Sequence, residues 1–137
     1  MVQQLYHFLF NLFLYWNTKN NYMSSVRNSV QLIGHLGKDV EVINFDSGKS
    51  KSTFSLATNE YYKNNKGEKE TKTEWHNVVA FGKTAENMNS MLAKGSEVLI
   101  NGRITSRSYK TKEGLEKWIT EIIANDFMVF GKKPAPF

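Results

Sequence analysis

The chain has 137 residues, with 18 Lys and Arg against 13 Asp and Glu, three histidines and no cysteine. That length suits one domain rather than two. The missing cysteines exclude disulfides, thiolate metal sites and a cysteine nucleophile, while a net charge of +5 leans toward a polyanionic partner.

Residues 1–22 differ in character from everything that follows. Leu5 to Trp16 is almost wholly apolar and aromatic, and Lys19 is the only charged side chain in the segment. The run is too short for a membrane span, which needs about 20 apolar residues, and it lacks the basic start and cleavage site of a signal peptide. Met23 then opens "MSSVRNSVQLIGHLGKD", which reads as an ordinary protein start. The expectation is an apolar extension outside the fold, from an over-extended start site. The competing reading is a membrane-surface anchor, but such helices carry Lys or Arg on a polar face and this one has none.

From Val26 the pattern is one of short strands. "VQLIGHLG" comes first, with Gly34 and Gly37 where a strand can bend or bulge. "VEVINF", the turn "DSGKS" and "STFSLATNE" follow, the last with Phe54 and Leu56 alternating with polar neighbours. Residues 61–72, "YYKNNKGEKETK", are polar and lysine-rich and predict a long exposed loop. "TEWHNVVAFGK" is the next strand, placing Trp75, Asn77, Val79 and Phe81 on one face and His76, Val78 and Ala80 on the other. Residues 83–95 predict a helix with Ala85, Met88, Met91 and Leu92 facing the core and Gly95 as its C-cap. "SEVLINGRITSRSY" and "LEKWITEIIANDFMVF" are two further strands joined at the hairpin tip "KTKEGL".

The layout is all-β: five strands with one short helix between strands 3 and 4, the order of the OB-fold barrel, over residues 23–131. The chemistry of catalysis is thinly represented. There is no P-loop, GxGxxG or GxSxG, the three histidines are scattered without ligand spacing, and Asp39, Asp46 and Asp126 fall in separate segments. No enzyme, cofactor or metal is expected, and a nuclease or other hydrolase is the weakest reading.

Several motifs in order resemble the bacterial single-stranded DNA-binding protein family, from about Val26 to Phe130. "TEWHNVVAFGKTAENMNSMLAKGSEVLINGRI" resembles the family's third strand, helix and fourth strand without a gap. "LIGHLGKDVE" resembles the first-strand motif, with Val40 in place of the usual proline; "FSLATNEYY" resembles the second strand and "WITEIIANDF" the fifth. The resemblance implies an OB-fold that wraps single-stranded DNA in replication, repair and recombination, in the cytoplasm at the nucleoid, as a homotetramer. Its stacking aromatics fall on Tyr62, Trp75, Phe81 and Tyr109, of which Tyr62 and Tyr109 are more often tryptophan in the family. Its basic contacts fall on Lys83, Lys94 and Arg107, and His76 matches a subunit-interface residue. The alternative within the binding class is an OB module for RNA or a primosome-type accessory protein.

The residue types suit that chemistry. A protein that coats single strands regardless of sequence must use the π-face every base offers, and stacking in single-strand-binding OB-folds is worth about 1–3 kcal/mol per base. Lys and Arg neutralise the phosphates. "RSYKTK" and "YYKNNK" interleave both residue types, and Asn77 would keep the space between Trp75 and Phe81 wettable. Against this, aromatic residues are more often core than surface. Phe81 could partly pack the barrel, Trp118 is assigned to packing, and alternation lets only one of Tyr61 and Tyr62 face a groove. The face of His76, Val78 and Ala80, with the first strand, is the candidate subunit contact. In the family the barrel is commonly followed by a flexible linker and an acidic tip ending in Pro-Phe. Here the basic tail 132–137 ends in Pro136-Phe137 with Lys132 and Lys133 and no acidic run, so weak or no recruitment of tail-reading partners is expected.

Overall fold

Strand β3 (Ser50–Lys63) shows how the sequence builds the core: Ser50, Ser52, Phe54 and Leu56 are buried while their neighbours are partly exposed. The computed structural model describes residues 2–9 and 26–131, and places around β3 the strands β1 (Val30–Leu36), β2 (Glu41–Asn44), β4 (Lys69–Phe81), β5 (Glu97–Lys110) and β6 (Glu116–Phe130). Residues 2–9 form an exposed helix, α1, and Gly82–Met91 form α2. Residues 10–25 and the tail 132–137 lie outside the described residues, so the proposed boundary at Met23 and the reading of the tail do too. Among the described residues no helix is long and apolar enough to cross a membrane.

The sheet runs β1-β5-β6-β4-β3-β2 and is closed by a β1–β3 pairing at His35↔Ala57 and Leu36↔Leu56. All pairings are antiparallel except β4–β6, where Val78 and Val79 meet Ile122 and Ile123. β1 and β2 run along the same partner, separated by residues 37–40 and bridged by the Gly37 N–H donating to the Ser55 carbonyl at 3.0 Å. Taken as one bent strand they give the expected five-stranded barrel, with α2 between the third and fourth strands. The bend falls where the glycines are. A Cβ at Gly34 would strike the Ala57 carbonyl, so only glycine lets β1 cross onto β3 there.

Leu56, Val78, Ala80, Val98 and Ile100 fill the barrel, and Ala85 and Met88 of α2 plug its end. Fully burying a side chain of this size is worth about 1.5–3 kcal/mol, so this layer carries the fold. Two expectations are corrected by it. Val78 and Ala80 are fully buried core residues and cannot form a subunit contact. The helix stops at Met91, because Leu92 turns extended to bury itself in the core, and Gly95 sits in the following turn. Met91, expected in the core, is thereby left half exposed.

The third correction concerns residues 61–72. They form a β-ribbon rather than a loop, with β3 and β4 paired without a break from Lys51↔Phe81 to Lys63↔Lys69. Asn64 makes the tip: its Oδ1 accepts from the Lys66 and Glu68 N–H groups at 2.9 and 3.0 Å, and Gly67 supplies the positive φ of 77°. The segment is exposed, as expected, but ordered by its own ladder.

Candidate nucleic-acid interface

Strand alternation decides which side chains share the outer surface. Residues directly opposite in a ladder lie on one face, so Trp75, Asn77 and Phe81 of β4 stand beside Ala57, Ser55 and Lys51 of β3. Through the β4–β6 and β5–β6 registers the same face continues to Glu121 and Ile119, and to Arg107 and Tyr109. Trp75 is 62% exposed, Phe81 51% and Tyr109 42%. These three expected aromatics are thus on one surface and outside the core, and Phe81 does not pack the barrel.

Between them lies a shallow groove of about 340 Å³, lined by Lys38, Lys51, Ser55, Asn77, Arg107 and Glu121, with Val79 also reaching it. Arg107 is held there by a two-pronged pair to Glu121, Nε to Oε2 and Nη2 to Oε1, both 3.1 Å. Glu121 is only 7% exposed, so the guanidinium compensates a nearly buried carboxylate and is itself held above its ordinary pKa by that bond. Lys38 reaches Glu41 at 2.6 Å, an exposed pair that water and salt screen. Lys51 has no ion-pair partner among the described residues.

Trp75 is supported from below. A Cβ built on Gly37 would come within 2.5 Å of the indole Cζ3, so the ring lies against glycine backbone with its other side toward solvent. Lys94 stands close by: its backbone N–H donates to Asp39 Oδ1 at 2.7 Å, tying the turn after α2 to the β1–β2 bend. Its side chain is exposed, as is that of Lys83, which reaches Glu86 at 3.4 Å in the first turn of α2. Neither lysine lines the groove.

Tyr62 is not on this face. It pairs with Glu70 on the opposite side of the β3–β4 ribbon, and its hydroxyl donates to Glu70 Oε2 at 2.6 Å. His76 also faces that side, partly buried, with Nε2 2.8 Å from Thr58 Oγ1. Trp118, expected to pack, is 73% exposed on the face of the β5–β6 ribbon away from Tyr109, opposite Ser108. Lys38, Lys51 and Ser55 were missed because little in the local sequence distinguishes them. Lys51 becomes a neighbour of Phe81 only through a ladder between residues thirty positions apart in sequence. The "GKD" around Lys38 was the one local hint, a cation beside a glycine bend.

A closed five-stranded barrel with a helix between its third and fourth strands, carrying aromatic and cationic side chains on its outer wall, is an OB-fold protein. The chain belongs to the single-strand binding protein family, which it matches over residues 27–130. It is 44% identical over 107 residues to "Single-stranded DNA-binding protein 1" of Chlorobaculum tepidum, covering 77% of this chain and 66% of that protein. To the Xylella fastidiosa protein of the same name it is 42% identical over 107 residues, covering 77% and 79%. Among solved structures it is similar to the Plasmodium falciparum SSB in complex with single-stranded DNA, with a TM-score of 0.70 and 32% identity over 76% of this chain and 95% of that one. The chain spans just under two thirds of the length of the Chlorobaculum relative.

Proposed function

We propose that the chain binds single-stranded DNA without regard to sequence and protects it during replication, repair and recombination. The observation that carries this is the outer face itself. Trp75 and Phe81 of β4 and Tyr109 of β5 flank one groove whose lining holds three cations against one carboxylate. Rings give sequence-tolerant stacking and the cations neutralise phosphate, with Lys83 and Lys94 as further contacts. The relatives' names and the DNA-bound Plasmodium structure support the same reading.

One OB-fold contacts about 4–16 nucleotides, so affinity for long strands gains from joining several, and we infer a homotetramer. Among the described residues, β1 between Val30 and Gly34 is paired on one side only, and exposed Ile33 and Met128 lie on the outer face of the same β1-β5-β6 layer. An open edge beside apolar side chains suits subunit contact, and His76 is assigned a second contact. Light scattering should give four times the chain mass; a monomer at micromolar concentration contradicts the assembly.

Titration with poly-dT and poly-rU, following intrinsic fluorescence, tests the function. A strong, salt-sensitive quench with poly-dT and little with poly-rU is expected. Equal or tighter binding of poly-rU would reassign the chain to RNA, where contacts to the 2′-OH decide.

A further inference from the structure

The β3–β4 arm is two-faced in a way its sequence conceals. Beyond the barrel, one face carries the rungs Ala57↔Trp75, Asn59↔Thr73, Tyr61↔Thr71 and Lys63↔Lys69. That face holds two lysines and no acid. Asn59 and Thr73 bond each other across it at 2.7 Å. The other face carries Thr58↔Glu74, Glu60↔Lys72 and Tyr62↔Glu70, three glutamates to one lysine. There Lys72 is engaged by Glu74 at 2.8 Å, and Tyr62 and Asn64 both donate to Glu70, at 2.6 and 2.8 Å. Ribbon twist turns each face gradually along the arm without exchanging the two.

Phosphates would be repelled from the glutamate face and attracted to the other. Lys63 and Lys69 stand directly opposite each other, and like charges on one rung destabilise a ribbon unless an anion lies between them. Neither has an ion-pair partner among the described residues. Tyr61 is 80% exposed, with one rung between it and Trp75 on the same face, whereas the Tyr62 hydroxyl is committed to Glu70. The Tyr61 and Trp75 rungs are four residue steps apart along the strand, roughly 13 Å, a distance a single strand bridges along a continuous face.

Resting on the reading of the chain as a single-strand binder, we propose that DNA leaves the barrel along the Trp75 face of the arm, stacking on Tyr61 with phosphates at Lys63 and Lys69. Tyr62 is then a fastener of the arm rather than a stacking residue. The expectation drawn from family position is thereby moved by one residue, onto the opposite face.

The test is titration of the full chain and its variants with oligo-dT over a salt series, with melting temperatures as a check on folding. Tyr61→Ala should weaken binding by roughly 5- to 150-fold, the range of one lost stacking contact, while Tyr62→Ala stays close to the parent. The paired change Lys63→Gln with Lys69→Gln should flatten the slope of log K against log salt by about 1.4, two single-strand phosphate contacts; Lys72→Gln should leave it unchanged. If Tyr61→Ala binds like the parent, if Tyr62→Ala loses as much as Tyr61→Ala, or if the paired lysine change leaves the slope alone, the proposal is overturned. Failure of the parent chain itself to bind oligo-dT would instead overturn the single-strand reading on which it rests.

Discussion

Trp75 shows how one side chain's role follows from what lies beneath it. A ring that packs the core is enclosed; this one rests on Gly37 and leaves its other side open. Trp75→Ala should therefore weaken oligo-dT binding by about 1–3 kcal/mol with little change in melting temperature. Unchanged binding with a large fall in melting temperature would make it a core residue. Gly37→Ala is a finer probe, because the added methyl must displace the exposed indole while the barrel stays intact. Weaker binding at parental stability is expected, measured by titration and thermal melting. The proposed part of Arg107 in binding can be separated from its pairing with Glu121. Arg107→Ala removes a cation from the groove and leaves Glu121, 7% exposed, without its partner, so affinity and melting temperature should both fall. Adding Glu121→Gln should restore the melting temperature but not the affinity. Recovery of both would remove Arg107 from the binding face.

The arm is the element whose stability should respond to acidification. Hydrogen bonds from Tyr62 and then Asn64 hold the Glu70 carboxyl below its ordinary 4.5, and Lys72 does the same for Glu74. A depressed folded value means the stabilisation is complete above the ordinary glutamate value and is lost as pH falls through the lowered folded values. Amide exchange in residues 58–74, corrected for the intrinsic rate, should show the arm opening more readily on acidification through that window while the barrel strands stay protected. Equal loss of protection in both would contradict it. The arm also marks the limit of what the sequence discloses. The strands, the short helix and the hairpin tip at "KTKEGL" were legible from alternation and glycine placement, and Trp75 and Phe81 from a face too aromatic for a plain core. "NNKGEKETK" was not, because in one dimension its lysines and glutamates simply alternate and cancel. Only the pairing of β3 with β4 sets Lys69 beside Lys63 on one face and gathers Glu70 and Lys72 with Glu60 and Glu74 on the other. Trp118 failed for a related reason: its type favours burial, but its rung lies beyond the barrel, where the ribbon has nothing to pack against.

At the scale of the molecule, the proposed binding face belongs to the barrel and its arm, and the described barrel spans Val30 to Phe130. The side chains of α1, including Leu5, Tyr6 and Phe8, are exposed and absent from the core cluster. A chain beginning at Met23 should therefore melt and bind oligo-dT as the full chain does, with less self-association as exposed apolar surface is removed. Loss of binding would assign the segment a working part. The central claim is that the outer face, and Trp75 above all, carries the DNA. Tryptophan fluorescence tests it most directly, comparing the quench by oligo-dT in the parent, Trp75→Phe and Trp118→Phe. The account predicts that Trp118→Phe keeps most of the parental quench, while Trp75→Phe still binds but loses most of it. A full quench in Trp75→Phe would place the strand elsewhere on the molecule.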